Sequence, residues 1–232
     1  LGEPLALVFP PSAPLPQVPT AFDRAAGAPL DALIAIGREL VERLAREGCQ
    51  VNVTVEREIA ATRVANTAGA DAAYRSTGVA ISADVWRISG NDVLAIGDAF
   101  EGADLPTPED LAALVRSIQS RLELALTVVA SPEGSLPVVF TPAGLSALFL
   151  PVTQALSGKA VLQGISPLAG KVGEQVFDRA FTLADDPLAA GRAASRPLDD
   201  ECAPSRITAF VERGVVKRFM YDLETAARAG TA

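Results

Sequence analysis

Two kinds of hydrophobic periodicity divide the first part of the chain. Between residues 29 and 47 the apolar side chains recur every three to four positions, which predicts an amphipathic helix that ends near Gly48. The period then changes to two, because Val51, Val53 and Val55 alternate with polar residues. Alternation of this kind predicts a half-buried strand.

Further strand patterns follow, and short turns join them. Strands are predicted over 59–66, 72–88 and 93–100, with turns at 67–69 and 89–92. Consecutive strands joined by such short turns predict an antiparallel β-meander.

A second amphipathic helix follows the meander and has clear start signals. Thr107 can cap it, Pro108 suits its first position, and two acidic residues come next. Its apolar positions continue at helical spacing to Leu122 and Leu126.

Periodicity is weaker in the C-terminal half. A short buried strand is predicted over 137–140 and a helix over 141–157, which Pro151 should kink or break because proline lacks an N–H group. Few periodic positions occur between 159 and 206, which predicts long loops, and residues 207–221 predict a closing hairpin.

Grouping of the strands apart from the helices predicts an α+β fold, with an antiparallel β-meander packed with amphipathic helices and a loop-rich C-terminal half. Three regions are expected. Residues 1–50 would form a proline-rich lead-in and a helix at the end of an N-terminal region. Residues 51–132 would form the middle meander plus a helix, and residues 133–232 a C-terminal region.

Charge and composition argue against several classes of partner. The 232-residue chain has 20 basic and 28 acidic residues, a net charge of −8, and such a surface repels phosphates. We therefore expect no nucleic-acid partner and no binding to anionic membranes. The uncharged stretch 135–158 is long enough to span a membrane, but its three prolines favour a buried strand and helix.

The N-terminus and the cysteines favour a cytoplasmic location. Prolines recur from Pro4 to Pro19 and no basic region precedes them, which argues against a signal peptide. Cys49 and Cys202 are far apart in sequence and form no disulfide framework, which favours a reducing compartment.

The chain contains no histidine. This excludes a Ser–His–Asp triad, a Cys–His pair and a His-ligated zinc site within it. The sequence GISPLAGK at 164–171 resembles a phosphate-binding loop, but its glycines are one residue too far apart and Val172 replaces the Ser or Thr that would hold magnesium. A tight structural turn is the favoured interpretation.

Two acidic clusters on the long loop remain as candidate binding residues. They are Asp185 with Asp186, and Asp199 with Asp200 and Glu201. Paired carboxylates can bind a hard cation or act as acid and base, although adjacent aspartates more often form turns that face water. The residues alone predict no catalytic group and no cofactor.

Several stretches in the second half resemble a known family in order along the chain. They are SGKAVLQGISPLAGKVGE at 157–174, LADDP at 183–187, RPLDDE at 196–201 and ERGVVKRFMYDL at 212–223, with ANTAG at 65–69 and Ser-Thr at 76–77 earlier. Together they resemble the TldD/TldE (PmbA) family, the "modulator of DNA gyrase" proteins that act as peptidases. Family members continue beyond Ala-Gly-Thr at 229–231, so the resemblance implies that the region 133–232 is incomplete.

The resemblance also implies which kind of subunit this is. TldD-type subunits carry a zinc-binding helix of His-Glu-x-x-x-His type, and TldE-type subunits lack it. Register on Ser157-Gly158 places the lost motif near Leu150, Pro151 and Ala155, none of which can bind zinc or activate water. The family usually has Gly where Cys202 stands, which puts the usual turn of that loop in doubt.

These features imply a TldE/PmbA-like subunit, inactive as a peptidase alone and without a cofactor of its own. Its partners would be a TldD-like zinc peptidase subunit, a second copy of itself, or both, and an unfolded peptide as substrate. One alternative is a homodimeric peptide- or ligand-binding protein that acts alone. Another is a regulator that acts through protein contacts, as the gyrase-modulator name suggests.

Overall fold

The computed structural model describes residues 7–231, apart from the side chain of Ala143. Pro4, the first of the N-terminal prolines, lies outside these residues, as does the start of the predicted lead-in. The elements are α1 (Asp23–Gly27), α2 (Leu30–Leu44), β1 (Cys49–Ala65), β2 (Asp71–Ser89), β3 (Asp92–Gly102), α3 (Pro108–Leu124), a 3₁₀ turn (Pro142–Gly144), α4 (Leu145–Leu156), α5 (Gly158–Leu162), β4 (Leu183–Asp185), β5 (Thr208–Glu212), β6 (Val215–Val216) and α6 (Leu223–Ala229).

The predicted α+β fold and antiparallel meander are confirmed. Strands β1, β2 and β3 form one antiparallel sheet in sequence order, joined by turns at the predicted positions. Helices α2 and α3 pack against one face of this sheet and bury Leu40, Leu44 and Ile118 against Ile81 and Val85. Most of the apolar positions predicted for α3 are therefore in the core, but Leu126 follows the helix and is exposed.

The prediction of two separate strands between residues 51 and 66 is wrong. β1 is one continuous strand that pairs with β2 over its whole length, from Cys49 opposite Arg87 to Ala65 opposite Asp71. A solvated edge strand accepts charged residues, such as those near Arg57, without leaving the ladder. The Arg57 guanidinium also donates hydrogen bonds to the carbonyl oxygens of Ala25 and Ala28, near α1.

The long β1–β2 hairpin buries opposite faces in its two halves. Near α2 and α3, the inward side chains are those of Val79, Ile81 and Val85. Between Thr77 and the hairpin turn the opposite face is buried. Here Val64, Ala72 and Tyr74 pack against Leu198 and Cys202 of the C-terminal loop. The hairpin therefore joins the two halves of the molecule.

The lead-in is not simply extended, since it contains the short helix α1. Just before α1 it occupies the place beside β2 that β3 leaves free. Thr77 N–H donates to the Thr20 carbonyl at 2.9 Å, and the buried Thr77 hydroxyl accepts from Phe22 N–H at 3.0 Å and donates to the Ala103 carbonyl at 2.5 Å. These bonds complete the ladder where β2 would otherwise have an open edge.

The C-terminal half is built around a second antiparallel sheet, in the order β4-β5-β6. Val211 and Val216 of this sheet and Leu156 at the end of α4 are buried together. The closing hairpin is confirmed, although its second strand is only Val215–Val216. The predicted helix is also present, and Pro151 lies inside α4 without breaking it.

The predicted buried strand at 137–140 is wrong. Its residues form neither a strand nor a helix, and Val138 and Val139 are exposed. Apolar β-branched residues favour a strand, but burial depends on a surface that packs against them, and the described residues provide none here.

Cys202 adopts the left-handed conformation that glycine favours. Its φ is 66° and its side chain is buried in the contact between hairpin and C-terminal loop. The loop therefore keeps its turn despite the missing glycine.

We expect Thr107→Ala to lower the free energy of unfolding by about 1 kcal/mol at pH 7. Thr107 and Asp110 form a capping box: Asp110 N–H donates to the Thr107 hydroxyl and Thr107 N–H to the Asp110 carboxylate. The Thr107 hydroxyl also donates to this carboxylate. Urea unfolding followed by circular dichroism measures the change. Thr107→Ser, which keeps the hydroxyl, is the control, and equal losses in both variants would contradict the expectation.

The same box gives a pH dependence. Hydrogen bonds from the Thr107 hydroxyl and N–H hold the pKa of Asp110 below its usual value. A carboxyl group with a lowered pKa in the folded state stabilises the fold above its unfolded-state pKa. This contribution is lost as the pH falls through the lowered value, so the difference between wild type and Thr107→Ala should shrink in acid.

We expect Cys202→Gly to be more stable than Cys202→Ala by roughly 1–2 kcal/mol, because both variants lose the thiol but only glycine relieves the left-handed backbone. Thermal unfolding of the two variants measures this difference. Ala203→Gly is the matched control, since Ala203 has no positive φ and glycine should destabilise it. A Cys202→Gly variant no more stable than Cys202→Ala would show that the turn is not strained.

Candidate functional site

An open groove of about 1270 Å³ lies on the C-terminal half of the molecule. Its walls come from α4, from β4 and the long loop after it, from β5, and from the segment that leads into α6. The lining includes Thr153, Leu156, Leu183, Ala184, Asp185, Arg196, Asp199, Glu201, Arg206, Phe210, Lys217, Arg218, Tyr221 and Asp222.

The second sheet gives this groove one free strand edge. At the β6 side, residues 173–174, which precede β4 in the chain, cover the edge of the sheet. Gly173 N–H donates to the Val216 carbonyl at 2.8 Å, and Val216 N–H donates to the Glu174 carbonyl at 3.1 Å. At the other side, β4 pairs only with β5 among residues 7–231. All three β4 residues line the groove. The groove therefore contains a short strand that can accept a further extended chain.

A close backbone contact fixes the end of α4 beside the groove. Gly158 N–H donates to the Met220 carbonyl at 2.7 Å, and Met220 N–H donates to the Leu156 carbonyl at 2.8 Å. A Cβ atom on Gly158 would lie 2.3 Å from the Tyr221 ring. Glycine is therefore required for this approach, which explains its place next to Ser157.

The acidic candidates divide between the groove and the surrounding surface. Asp185, Asp199 and Glu201 line the groove, whereas Asp186 and Asp200 do not. Asp186 accepts a hydrogen bond from Leu188 N–H at 3.1 Å in a turn. The Asp200 side chain is 94% exposed and lies 3.5 Å from Arg196.

Two of the three acidic candidates in the groove already accept backbone hydrogen bonds. Asp199 accepts hydrogen bonds from the N–H groups of Glu201 and Ala203 at 2.9 and 2.8 Å. Both Glu201 carboxylate oxygens accept from Leu223 N–H, at 3.0 and 3.1 Å. Asp185 remains without a side-chain partner in the described part of the chain.

A further carboxylate in the groove, that of Asp222, caps α6. It accepts a hydrogen bond from Thr225 N–H at 2.7 Å and one from the Thr225 hydroxyl at 2.7 Å. These hydrogen bonds hold the pKa of Asp222 below its usual value. The Asp222 carboxylate therefore serves as the N-terminal cap of α6.

The positions assigned to the lost zinc motif do not form a metal site. Leu150 is 63% exposed, Pro151 is exposed, and neither lines the groove; Ala155 is half-buried. The groove side of α4 instead carries Thr153 and Leu156. These residues do not fit zinc, which needs imidazole, thiolate or free carboxylate ligands. Within residues 7–231 no three His, Cys, Asp or Glu side chains cluster in a way that could hold a metal ion.

Two arginines in the groove were not singled out from the sequence. Arg206 precedes β5 and Arg218 lies in the segment after β6, and neither guanidinium has a hydrogen bond or ion pair within the described residues. The other two cations, Arg196 and Lys217, are paired with Asp200 and Glu212. The predicted hairpin gave no signal for this, because its register, in which Lys217 N–H donates to the Phe210 carbonyl, sets Arg218 opposite Ala209 and not opposite Arg206.

The phosphate-loop resemblance at 164–171 corresponds to a structural turn. Its Ser166 hydroxyl donates to the Ala155 carbonyl at 2.5 Å and accepts from Leu168 N–H at 3.1 Å. Leu168 is buried against the core of the second sheet. The turn thus anchors the loop to α4.

None of the helices in the described part of the chain has both the length and the apolar character needed to cross a bilayer. The uncharged stretch 135–158 is divided between an irregular segment, the 3₁₀ turn and α4.

Comparison with known proteins places the C-terminal half in a family. Residues 133–232 match the model of the PmbA/TldA metallopeptidase C-terminal domain. The chain is 33% identical over 109 residues to a "Metalloprotease TldD homolog" of Haemophilus influenzae, covering 46% of this chain and 22% of that protein. It is 33% identical over 107 residues to a metalloprotease of Archaeoglobus fulgidus, covering 45% and 25%. The chain thus spans about a quarter of these curated relatives in alignment.

Solved structures share the fold over almost the whole chain. A protein described as a candidate modulator of a DNA gyrase from Thermotoga maritima superposes with a TM-score of 0.85 at 22% identity, covering 97% of this chain and 53% of that one. TldE from Thermococcus kodakarensis superposes with a TM-score of 0.82 at 24% identity, covering 97% and 52%. The match at 133–232 and the sequence relatives support a relation to the TldD/TldE (PmbA) family of metallopeptidase-related proteins, and the solved structures show that the fold is shared.

Proposed function

We propose that this chain is part of a non-catalytic, TldE/PmbA-like subunit that binds an unfolded peptide beside a TldD-like zinc peptidase. The observation that carries the proposal is the groove, which combines a free strand edge at β4 with a helix wall that offers Thr153 and Leu156 in place of metal ligands. The absence of histidine from the sequence supports the same interpretation. Zinc and the general base would come from the partner subunit.

The free edge suggests how the peptide is held. An extended peptide can add to β4 through main-chain hydrogen bonds, which need no particular side chains and therefore suit substrates of varied sequence. Leu183 and Phe210 supply apolar surface beside this edge. The peptide would form a fourth strand on the second sheet.

The charges of the groove suggest a preference among peptides. Arg206 and Arg218 are unpaired within residues 7–231, whereas Asp199, Glu201 and Asp222 already accept backbone hydrogen bonds. These three carboxylates keep their charge, but their hydrogen bonds hold them in place, so among the charged side chains of the lining only Asp185 and the two unpaired guanidinium groups have no partner within residues 7–231. In a chain of net charge −8, this groove favours peptides that carry carboxylates.

Cleavage assays on separate and mixed subunits test the role as a silent partner. We expect a fluorescence-quenched unstructured peptide to be cleaved faster by the mixture of this protein and a TldD-like subunit from the same organism than by either alone. Zinc should be found only on the TldD-like subunit. Cleavage with stoichiometric zinc in this protein alone would contradict the proposal, whereas peptide binding without any effect on the mixture would favour a stand-alone binding protein.

Substitution in the groove tests the peptide preference. We expect Arg206→Gln and Arg218→Gln each to weaken binding of a labelled Glu-rich decapeptide by about two- to fivefold, because an exposed ion pair contributes little more than this. Fluorescence anisotropy measures the affinity. A decapeptide with Gln at every Glu position should bind all proteins alike.

Arg38→Gln is the matched control protein, since Arg38 is an exposed arginine on α2, outside the groove lining, and its loss changes the net charge equally. If it weakens binding as much as Arg218→Gln, the effect comes from overall charge and the groove has no preference of its own.

A further inference from the structure

The sheet of β1, β2 and β3 has one face turned away from α2 and α3, and this face is exposed to solvent. Side chains alternate along a strand, so the burial of Ile81 and Val85 against the helices turns the even-numbered residues of β2 outward. The pairing puts the even-numbered residues of β1 and the odd-numbered residues of β3 on the same side. We call the outward side chains of residues 50–58, 78–88 and 93–101 the open face.

Every charged side chain on the open face is acidic. Glu56 and Glu58 lie on β1, Asp84 on β2 and Glu101 on β3. The arginines of β1 and β2 all lie at odd-numbered positions, on the other side of the ladder, and the three strands contain no lysine. Within the described chain none of the four carboxylates has a hydrogen bond or an ion pair. The open face is therefore complementary to a partner that carries positive charge.

One end of the open face is apolar. Trp86 is 40% exposed, and Ile88 and Val93, which are opposite each other in the β2–β3 ladder, are 60% and 55% exposed. Among side chains, the indole ring attracts a Lys or Arg cation most strongly over its face. The apolar stems of Lys and Arg pack on such surfaces while their charged ends reach a carboxylate or water. The apolar end and the carboxylates thus match the two parts of the same side chain.

The spacing of the carboxylates favours an extended polypeptide over a small cation. Glu56 and Glu58 project from the same side of β1 with a spacing of about 7 Å, which is also the distance between alternate residues of an extended chain. Glu56 and Glu101 flank Ala80 in one row across the ladder, so their Cα atoms are roughly 10 Å apart. In residues 7–231 no three acidic side chains are close enough to hold one metal ion.

We infer that the open face binds an extended polypeptide segment rich in Lys and Arg. The cations of the segment meet the four carboxylates, and one of them lies over the Trp86 ring. The open face belongs to the first sheet, whereas the proposed peptide groove lies on the C-terminal half. The inference therefore does not depend on the proposed function.

Trp86 is the only tryptophan in the sequence, so its fluorescence reports directly on binding at this face. We expect a decapeptide of alternating Lys and Ser to change the Trp86 emission in a saturable way at low salt. The same peptide with Glu at every Lys position should leave the emission unchanged. Raising the salt to about 0.2 M should weaken the binding several-fold, because salt screens exposed charges. An unchanged emission with the Lys peptide, or an equal change with both peptides, would overturn the inference.

Substitutions on the open face test which side chains hold the peptide. We expect Glu56→Gln and Glu101→Gln each to weaken binding of the fluorescein-labelled Lys-Ser peptide by about two- to fivefold, because each removes one exposed ion pair. Fluorescence anisotropy measures the affinity. Glu133→Gln is the matched control, since Glu133 is exposed on the loop after α3 and its loss changes the net charge equally. Equal weakening by Glu133→Gln would assign the effect to overall charge and overturn the inference.

Three further measurements separate the inference from its alternatives. Spermine should displace the labelled peptide only at a much higher concentration of positive charge; displacement at equal charge would show general attraction of cations and overturn the inference. Arg206→Gln in the groove should not weaken binding of the Lys-Ser peptide, and a loss of affinity there would place this peptide in the groove instead. A change in Trp86 emission with a TldD-like subunit, but none with the peptide, would likewise overturn the inference and assign the open face to that subunit.

Discussion

The ladder between β1 and β2 is the interaction on which the rest of the structure depends. Its 17 paired residues make a hairpin long enough to belong to both halves of the molecule. One half packs its buried face on α2 and α3, and the other half packs the opposite face on Leu198 and Cys202. Because side chains alternate along a strand, a shift of one residue in this register would expose both sets of contacts at once. The register therefore fixes the C-terminal half against the N-terminal sheet.

The sequence was sufficient to predict elements that are stabilised by interactions between residues close together in the chain. The capping residues Thr107 and Asp110 start α3 at the predicted place, and the alternation from Val51 onward marks β1. The signals failed where a distant segment decides the outcome. Two strands were predicted between residues 51 and 66, but β1 pairs with β2 without a break. Val138 and Val139 suggested a buried strand, although nothing in the described chain covers them.

The candidate site shows the same division. Asp186 and Asp199 accept hydrogen bonds from N–H groups two residues ahead, and turns of this kind are legible in the sequence. The hydrogen bond that Glu201 accepts from Leu223 N–H cannot be predicted in this way, because the two residues are 22 positions apart. Arg206 and Arg218 both line the groove, but no pattern in the sequence marks them, so the tertiary structure had to reveal them. Cys202 illustrates the converse: the missing glycine was visible, but only the buried contact of its thiol explains how the left-handed turn persists.

The proposed role of a subunit that binds a peptide without cleaving it places few demands on the structure of α4. A metal site requires its ligands to be held within about 0.5 Å of the productive geometry. Pro151 removes one N–H from the middle of α4, and the Thr153 hydroxyl donates to the carbonyls of Phe149 and Leu150 at 3.0 Å beside it. Side-chain bonds of this kind bend helices slightly. A peptide held by the β4 backbone, as proposed, would make no demand on the register of α4. The helix is then free to accept proline while Leu156 continues to close the core behind the groove.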